Sequence, residues 1–150
     1  MAPRQQTRPF DPDPGGRQGA SREKSLALSR RLHNLVCEHP DFEVIGEPTP
    51  ELCCFRYVPN SLSERKEEPG VRALLDRLNS EIVEAARRGG RDLAEAISVG
   101  GRAAICVSIH SEGTTEDDVD AAFEAAARWG RLLTKTNPIY HPRPAETEAL

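Results

Sequence analysis

The segment 101–133, GRAAICVSIHSEGTTEDDVDAAFEAAARWGRLL, sets a two-residue apolar period directly before a helical one. Ala103, Ile105, Val107 and Ile109 alternate with Ala104, Cys106, Ser108 and His110, which predicts a strand with one apolar face. Ser111–Thr114 is polar and includes Gly113, so the chain turns there. Thr115 then suits an N-cap, and Asp118 stands three residues on, as in a capping box. Glu116, Asp117 and Asp118 put negative charge at the positive end of the helix dipole. Val119, Phe123, Ala126, Gly130 and Leu133 follow at helical spacing as one packed stripe.

The remaining chain supplies partners for this unit. Residues 1–20 are rich in Pro, Gly, Arg and Gln, with Phe10 the one large apolar residue after Met1. Such a stretch buries too little surface to offset the entropy of ordering and reads as a disordered tail. Ser21 is the expected N-cap of a first helix, whose face is Leu28, Leu32, Leu35 and Val36 and which Pro40 ends. Residues 41–46 and 52–58 read as strands, the second favoured by Phe55, Tyr57 and Val58. Residues 59–70 read as a charged, solvated loop. From Val71 a second helix keeps its spacing through Leu74, Leu75, Leu78, Ile82, Val83 and Ala86, and Gly89-Gly90 stops it. Residues 91–99 fit a third strand, although Ala94-Glu95-Ala96 suits a helix equally. Gly100-Gly101 reads as a hairpin turn into the strand described above. Beyond 135, Asn137-Pro138 and the prolines at 142 and 144 break regular structure, and residues 136–150 read as a frayed tail. The order helix, strand, strand, helix, strand, strand, helix predicts an α+β domain over residues 21–135. It would be a small mixed sheet of about four strands with helices on one face. A parallel crossover through the second helix is permitted.

Composition narrows the function classes. The formal net charge of −4 argues against a nucleic-acid binder, which concentrates Lys and Arg on one surface. No apolar run approaches the length of a membrane span, and the first residues lack the apolar core of a secretory signal. Cys37, Cys53, Cys54 and Cys106 lie in apolar segments without a disulfide-framework spacing. They are expected to be reduced core residues of a cytoplasmic protein.

Four stretches of the chain resemble the C-terminal small domain of the group II pyridoxal-phosphate-dependent decarboxylases. That family includes the aromatic amino acid, glutamate and diaminobutyrate decarboxylases. The stretches are the segment 101–133; Pro40, Phe42 and Glu43 ahead of a strand; Phe55-Arg56 at the end of the next strand; and the helix 74–91 with Asn79 and its glycine stop. The similarity covers about residues 22–135. It implies an α+β unit like the C-terminal domain of fold-type I pyridoxal-phosphate enzymes, packed on a large cofactor-binding domain. Family members commonly carry Arg where this chain has Cys106.

The chemistry implied by that resemblance needs a Schiff-base lysine and a phosphate cradle. In the family the lysine usually follows a histidine. Lys24 follows Glu23, Lys66 follows Arg65 and Lys135 follows Thr134, and no Gly-rich turn opens a helix. No catalytic, cofactor-binding or metal residue is therefore assigned. His33 and Cys37 share a helix face with His39 beyond, but a zinc site needs two more ligands, and the adjacent Cys53 and Cys54 point to opposite faces. His110 at a strand end and Cys106 between Ile105 and Val107 read as an exposed histidine and a packed thiol. Trp129 falls off the last helix's stripe and suits a half-buried interface position. The expectation is a truncated or split C-terminal part of such a decarboxylase, inactive alone, with pyridoxal phosphate held elsewhere. Its partner would be a large domain on another polypeptide, or a second copy in a homodimer. The alternative is a free-standing, non-catalytic interaction module.

Overall fold

The structure, a computed structural model, describes residues 19–90, 94–110 and 112–141. Three long helices, α1 (Gly19–Cys37), α2 (Pro69–Arg88) and α3 (Glu116–Thr136), accompany four strands. The strands are β1 (Phe42–Ile45), β2 (Leu52–Tyr57), β3 (Ala94–Val99) and β4 (Arg102–Ser108), in the sheet order β1-β2-β4-β3.

The α+β class and the helices packed on the sheet are as the sequence predicts, but the sheet is not mixed. Every neighbouring pair of strands is antiparallel. The connection through α2 does join two strands of the same direction, β2 and β3. β4 returns between them, through the Gly100-Gly101 turn, and pairs with both. Both glycines have positive φ, 60° and 80°, which a two-residue hairpin turn requires and other residues rarely adopt. This pairing also decides between helix and strand for residues 94–99. A six-residue ladder from Ala94↔Val107 to Val99↔Arg102 offers hydrogen bonds that an isolated helical turn lacks.

Strand alternation and helix stripes meet in one core. Phe42, Cys53, Phe55, Tyr57, Ile105 and Val107 face Leu28, Leu32 and Val36 of α1, Leu75, Leu78 and Ile82 of α2, and Val119, Phe123 and Ala126 of α3, all of them buried. Phe42 is the hub, with ring centroids 5.5 Å from Phe55, 5.0 Å from Tyr57 and 5.0 Å from Phe123. α3 comes down onto the sheet because Gly130 has no side chain. A Cβ there would lie 2.8 Å from the Tyr57 ring.

The full capping box forms at α3. Thr115 Oγ1 accepts from the Asp118 N–H at 3.1 Å, and Asp118 Oδ2 accepts from the Thr115 N–H at 3.0 Å. Gly19 and Ala20 are already helical, so Ser21 lies inside α1 rather than at its N-cap. Residues 60–65 form a 3-10 turn that buries Leu62, because that leucine has the core edge to cover, so this stretch is not simply a solvated loop. Past α3, Pro138–Tyr140 makes another 3-10 turn in which Tyr140 is 1% exposed and its hydroxyl donates to Glu81 Oε1. The chain is therefore anchored at least to Tyr140. Residues 1–18 and 142–150, which hold most of the two expected tails, lie outside the described residues, as do residues 91–93.

The cysteine expectation needs correction. Cys54 and Cys106 are joined as a disulfide, while Cys37 and Cys53 are free. The two bonded cysteines are far apart in sequence but directly opposed on β2 and β4, with Cα atoms 4.1 Å apart.

Candidate docking face

Because successive side chains on a strand alternate, burying Phe42, Phe55 and Ile105 under the helices turns Glu43, Cys54, Arg56, Ala104 and Cys106 to the opposite sheet face. Arg56 pairs across the ladder with Glu43, and Cys54 with Cys106. This face holds the strongest concentration of polar chemistry among the described residues.

Arg56 is the centre of it, and its side chain is only 1% exposed. The β2–β4 ladder ends at Phe55↔Ile105, beyond which side chains replace strand–strand bonds. Arg56 Nε donates to the Ala103 carbonyl at 3.2 Å, and Nη2 donates to Asp76 Oδ1 at 3.3 Å. Asp76 Oδ1 also accepts from the Ala103 N–H at 2.9 Å. One turn further along α2, Asn79 Oδ1 accepts from the Tyr57 N–H at 2.7 Å, and Nδ2 donates to the Tyr57 carbonyl at 3.0 Å and to Leu75 O at 2.8 Å. Two α2 side chains thus stand in for the missing strand ladder and satisfy backbone groups that would otherwise be buried unpaired.

Glu43 closes the cluster. Lys66 Nζ donates to its Oε2 at 2.7 Å, while Oε1 lies 3.7 Å from Arg56 Nη1 and 3.9 Å from Arg102 Nη1, beyond hydrogen-bond range of both. Three cations thus surround two carboxylates. A buried guanidinium needs such partners, since an unpaired charge out of water costs several kcal/mol.

The sites weighed from sequence are dispersed. His33 borders a shallow hollow with Arg30, Asn34, Val44 and Gly46. His39 is a packing residue: Nδ1 accepts from the Asp41 N–H at 3.1 Å, and the ring meets Phe42 and Phe123 edge-on. Cys37 is exposed at the end of α1. Burial, and the nearby Cys37, push the Cys53 thiol up to about 12, so it stays protonated. Among the described residues no three His, Cys, Asp or Glu side chains are grouped to hold a metal ion. His110 is exposed beside a surface hollow of about 380 Å³ that Arg22 and Glu51, paired at 3.3 Å, also border. Trp129 is half-buried, with the Arg128 guanidinium 5.5 Å from its ring centre, and walls a groove between α2 and α3. Cys106 is 1% exposed and holds the disulfide, so it cannot serve as a free nucleophile in that state.

The described residues also fit pyridoxal phosphate poorly. A Schiff-base lysine has to face a bound cofactor, but Lys66 is turned to Glu43 in a salt bridge, and Lys24 and Lys135 lie exposed on separate helices. The α3 N-terminus is already satisfied by its capping box and carries three acidic residues, which repel a phosphate. α2 opens on Glu68 and Pro69.

Sequence reasoning singled out Glu43, Arg56 and Asn79 only through resemblance, and it missed Asp76. One local signal was present: Asn79 interrupts the apolar stripe of Leu75, Leu78 and Ile82, which marks a polar group with a buried partner.

No family model and no curated protein matches the chain. Solved structures do. Rice (Oryza sativa) TDC with PLP and tryptamine superposes at TM-score 0.64 and 21% identity over 76% of this chain and 23% of its own. Mouse CSAD gives 0.66 and 24% over 77% and 25%. The glutamate decarboxylase domain of a Vibrio parahaemolyticus diaminobutyrate-pyruvate transaminase and L-2,4-diaminobutyrate decarboxylase gives 0.59 and 21% over 77% and 22%. The chain spans about a quarter of the length of the solved chains it matches. At these identities the likeness is one of fold, and it is the fold that group II pyridoxal-phosphate decarboxylases carry over about that share of their length.

Proposed function

We propose that this chain acts as the C-terminal small domain of a group II pyridoxal-phosphate-dependent amino-acid decarboxylase, working as a truncated or split part in the cytoplasm. The reading is carried by the fold match, supported by the residue pattern from Pro40 to Leu133. The sheet face turned away from the helices is the surface for a large domain on another polypeptide. That partner supplies the lysine and the phosphate site, which the described lysines and helix ends do not. This chain contributes domain packing and part of the active-site wall.

Co-expression with a large-domain polypeptide of such a decarboxylase tests the reading. The expected result is a co-purifying complex that gains decarboxylase activity over the large domain alone. No complex and no gain refute it.

A second reading, a free-standing interaction module without catalysis, is favoured by one observation. Large apolar side chains are exposed only at Ile97, Leu132 and Ile139 among the described residues, on three different elements. A face that lost its large domain and kept the old contact surface would show a continuous apolar patch. The ionic centre at Arg56 gives this face a polar middle instead. A monodisperse, stable monomer that ignores the large domain would support this second reading.

A further inference from the structure

We infer that the Cys54–Cys106 pair is a thiol–disulfide clamp set into the helix-free sheet face, opened and closed by the surrounding thiol pool. Four observations carry it. The cysteines are directly opposed partners on adjacent antiparallel strands. They sit on the face without helices, away from the hydrophobic core. Cys54 is partly exposed, whereas Cys106 is 1% exposed, so the two sides of the bond differ in their access to solvent. Cys53, the neighbouring thiol, is buried on the opposite face and held protonated, so it cannot attack the bond and scramble it.

The more exposed cysteine sets the order of steps in the proposal. The thiolate of a dithiol reductant attacks Cys54 Sγ and forms a mixed disulfide there. Cys106 leaves as a thiolate and takes up a proton. The second thiol of the reductant then attacks its own sulfur in the mixed disulfide, and Cys54 leaves as a thiolate and is protonated. The reductant departs as its cyclic disulfide. Two electrons and two protons have passed from the reductant to the pair, and an oxidised thiol couple reverses the sequence. Closed, the bond fixes β2 to β4 just before their ladder ends at Phe55↔Ile105. Open, two separate thiols occupy the middle of the face. The chemistry stands independently; its consequence for docking rests on the function proposed above.

The test equilibrates the full chain in glutathione buffers from reducing to oxidising, quenches it with acid, alkylates it in denaturant and reads the intact mass. The expected result is a single two-electron step, from four alkylated cysteines to two, with Cys37 and Cys53 the two still modified and peptide mapping joining Cys54 to Cys106. In addition, Cys106→Ser should take up glutathione at Cys54 at least about ten-fold faster than Cys54→Ser does at Cys106. Four alkylated cysteines throughout, a bond that includes Cys37 or Cys53, or a pair that native-state dithiothreitol leaves intact would each overturn the proposal. Capture by the large-domain polypeptide is then compared for the two forms. A difference between them supports the docking consequence. Failure of both forms to bind refutes the docking function and leaves the clamp to be judged by the mass data.

Discussion

Replacing Gly130 by Ala puts one methyl group where α3 crosses the Tyr57 ring. In a helix interior the exchange ordinarily gains about 1 kcal/mol. Here the new Cβ would lie 2.8–2.9 Å from three ring carbons, whereas carbon atoms pack at about 3.5–4.0 Å. The ring has to retreat by close to 1 Å. It is 3% exposed, its centroid is 5.0 Å from Phe42, and its backbone N–H and carbonyl are both held by Asn79. With no free direction, the overpacking cost falls toward the upper part of the usual ~1–3 kcal/mol. The net expectation is destabilisation by about 1–2 kcal/mol, read from urea unfolding followed by circular dichroism. Gly70→Ala is the control: it lies in the first turn of α2 with nothing within 4 Å of a new Cβ, and should be neutral or stabilising. A second check is Tyr57→Leu, a background in which the Gly130→Ala penalty should shrink. If Gly130→Ala is as stable as the parent chain, the close crossing of α3 over Tyr57 is wrong.

Three further outcomes follow from the same geometry. Asn79→Ala leaves the Tyr57 N–H and carbonyl without their side-chain partners and should cost about 2–4 kcal/mol, seen as a lower urea midpoint; an unchanged midpoint would mean the amide is dispensable. Reducing Cys54–Cys106, which spans a sequence separation of 52, should remove about 4 kcal/mol of unfolding free energy by the chain-entropy relation; equal midpoints with and without reductant would contradict it. Burial raises the phenol pKa of both Tyr57 and Tyr140, and Glu81 adds to the effect at Tyr140. The folded state therefore favours the protonated phenols. That stabilisation is complete below the free phenol value of about 10 and is lost as pH rises above it. Phenolate absorbance in the folded chain should lag behind that of the unfolded chain, and stability should fall above that pH; coincident titrations would refute the burial of both rings.

Much of the fold was legible because its signals are local. The Thr115 cap, the stripe from Val119 to Gly130, the Gly100-Gly101 turn and the alternation of β4 each lie within a few residues, where backbone sterics and periodicity act directly. α2 begins at Pro69, two residues before the apolar spacing from Val71, because Pro69, a good first helical residue, carries no apolar signal. Tyr140 falls in an apparent tail because prolines on both sides mark a broken chain, while its burial goes with its bond to Glu81 in α2. The polar centre was only partly legible. Asn79 shows as a polar break in an apolar stripe, but nothing near Arg56 announces that Glu43 and Asp76 will flank it.

The sequence by itself determined the helices, three of the four strands, the α+β class, and the face that each amphipathic element would bury, and left residues 94–99 to be decided by pairing with β4. Those choices follow from propensity and from the periods of 3.6 and 2. Tertiary structure decided where β4 goes. It returns between β2 and β3, makes the whole sheet antiparallel, sets Cys106 against Cys54, and leaves a gap beyond Phe55 that Arg56, Asp76 and Asn79 fill. The β2–β4 pairing, the disulfide and the Arg56–Asp76 and Asn79–Tyr57 contacts join residues 20 or more positions apart, and such pairings are settled by which arrangement satisfies all buried donors, acceptors and apolar faces together. No window of sequence carries that sum.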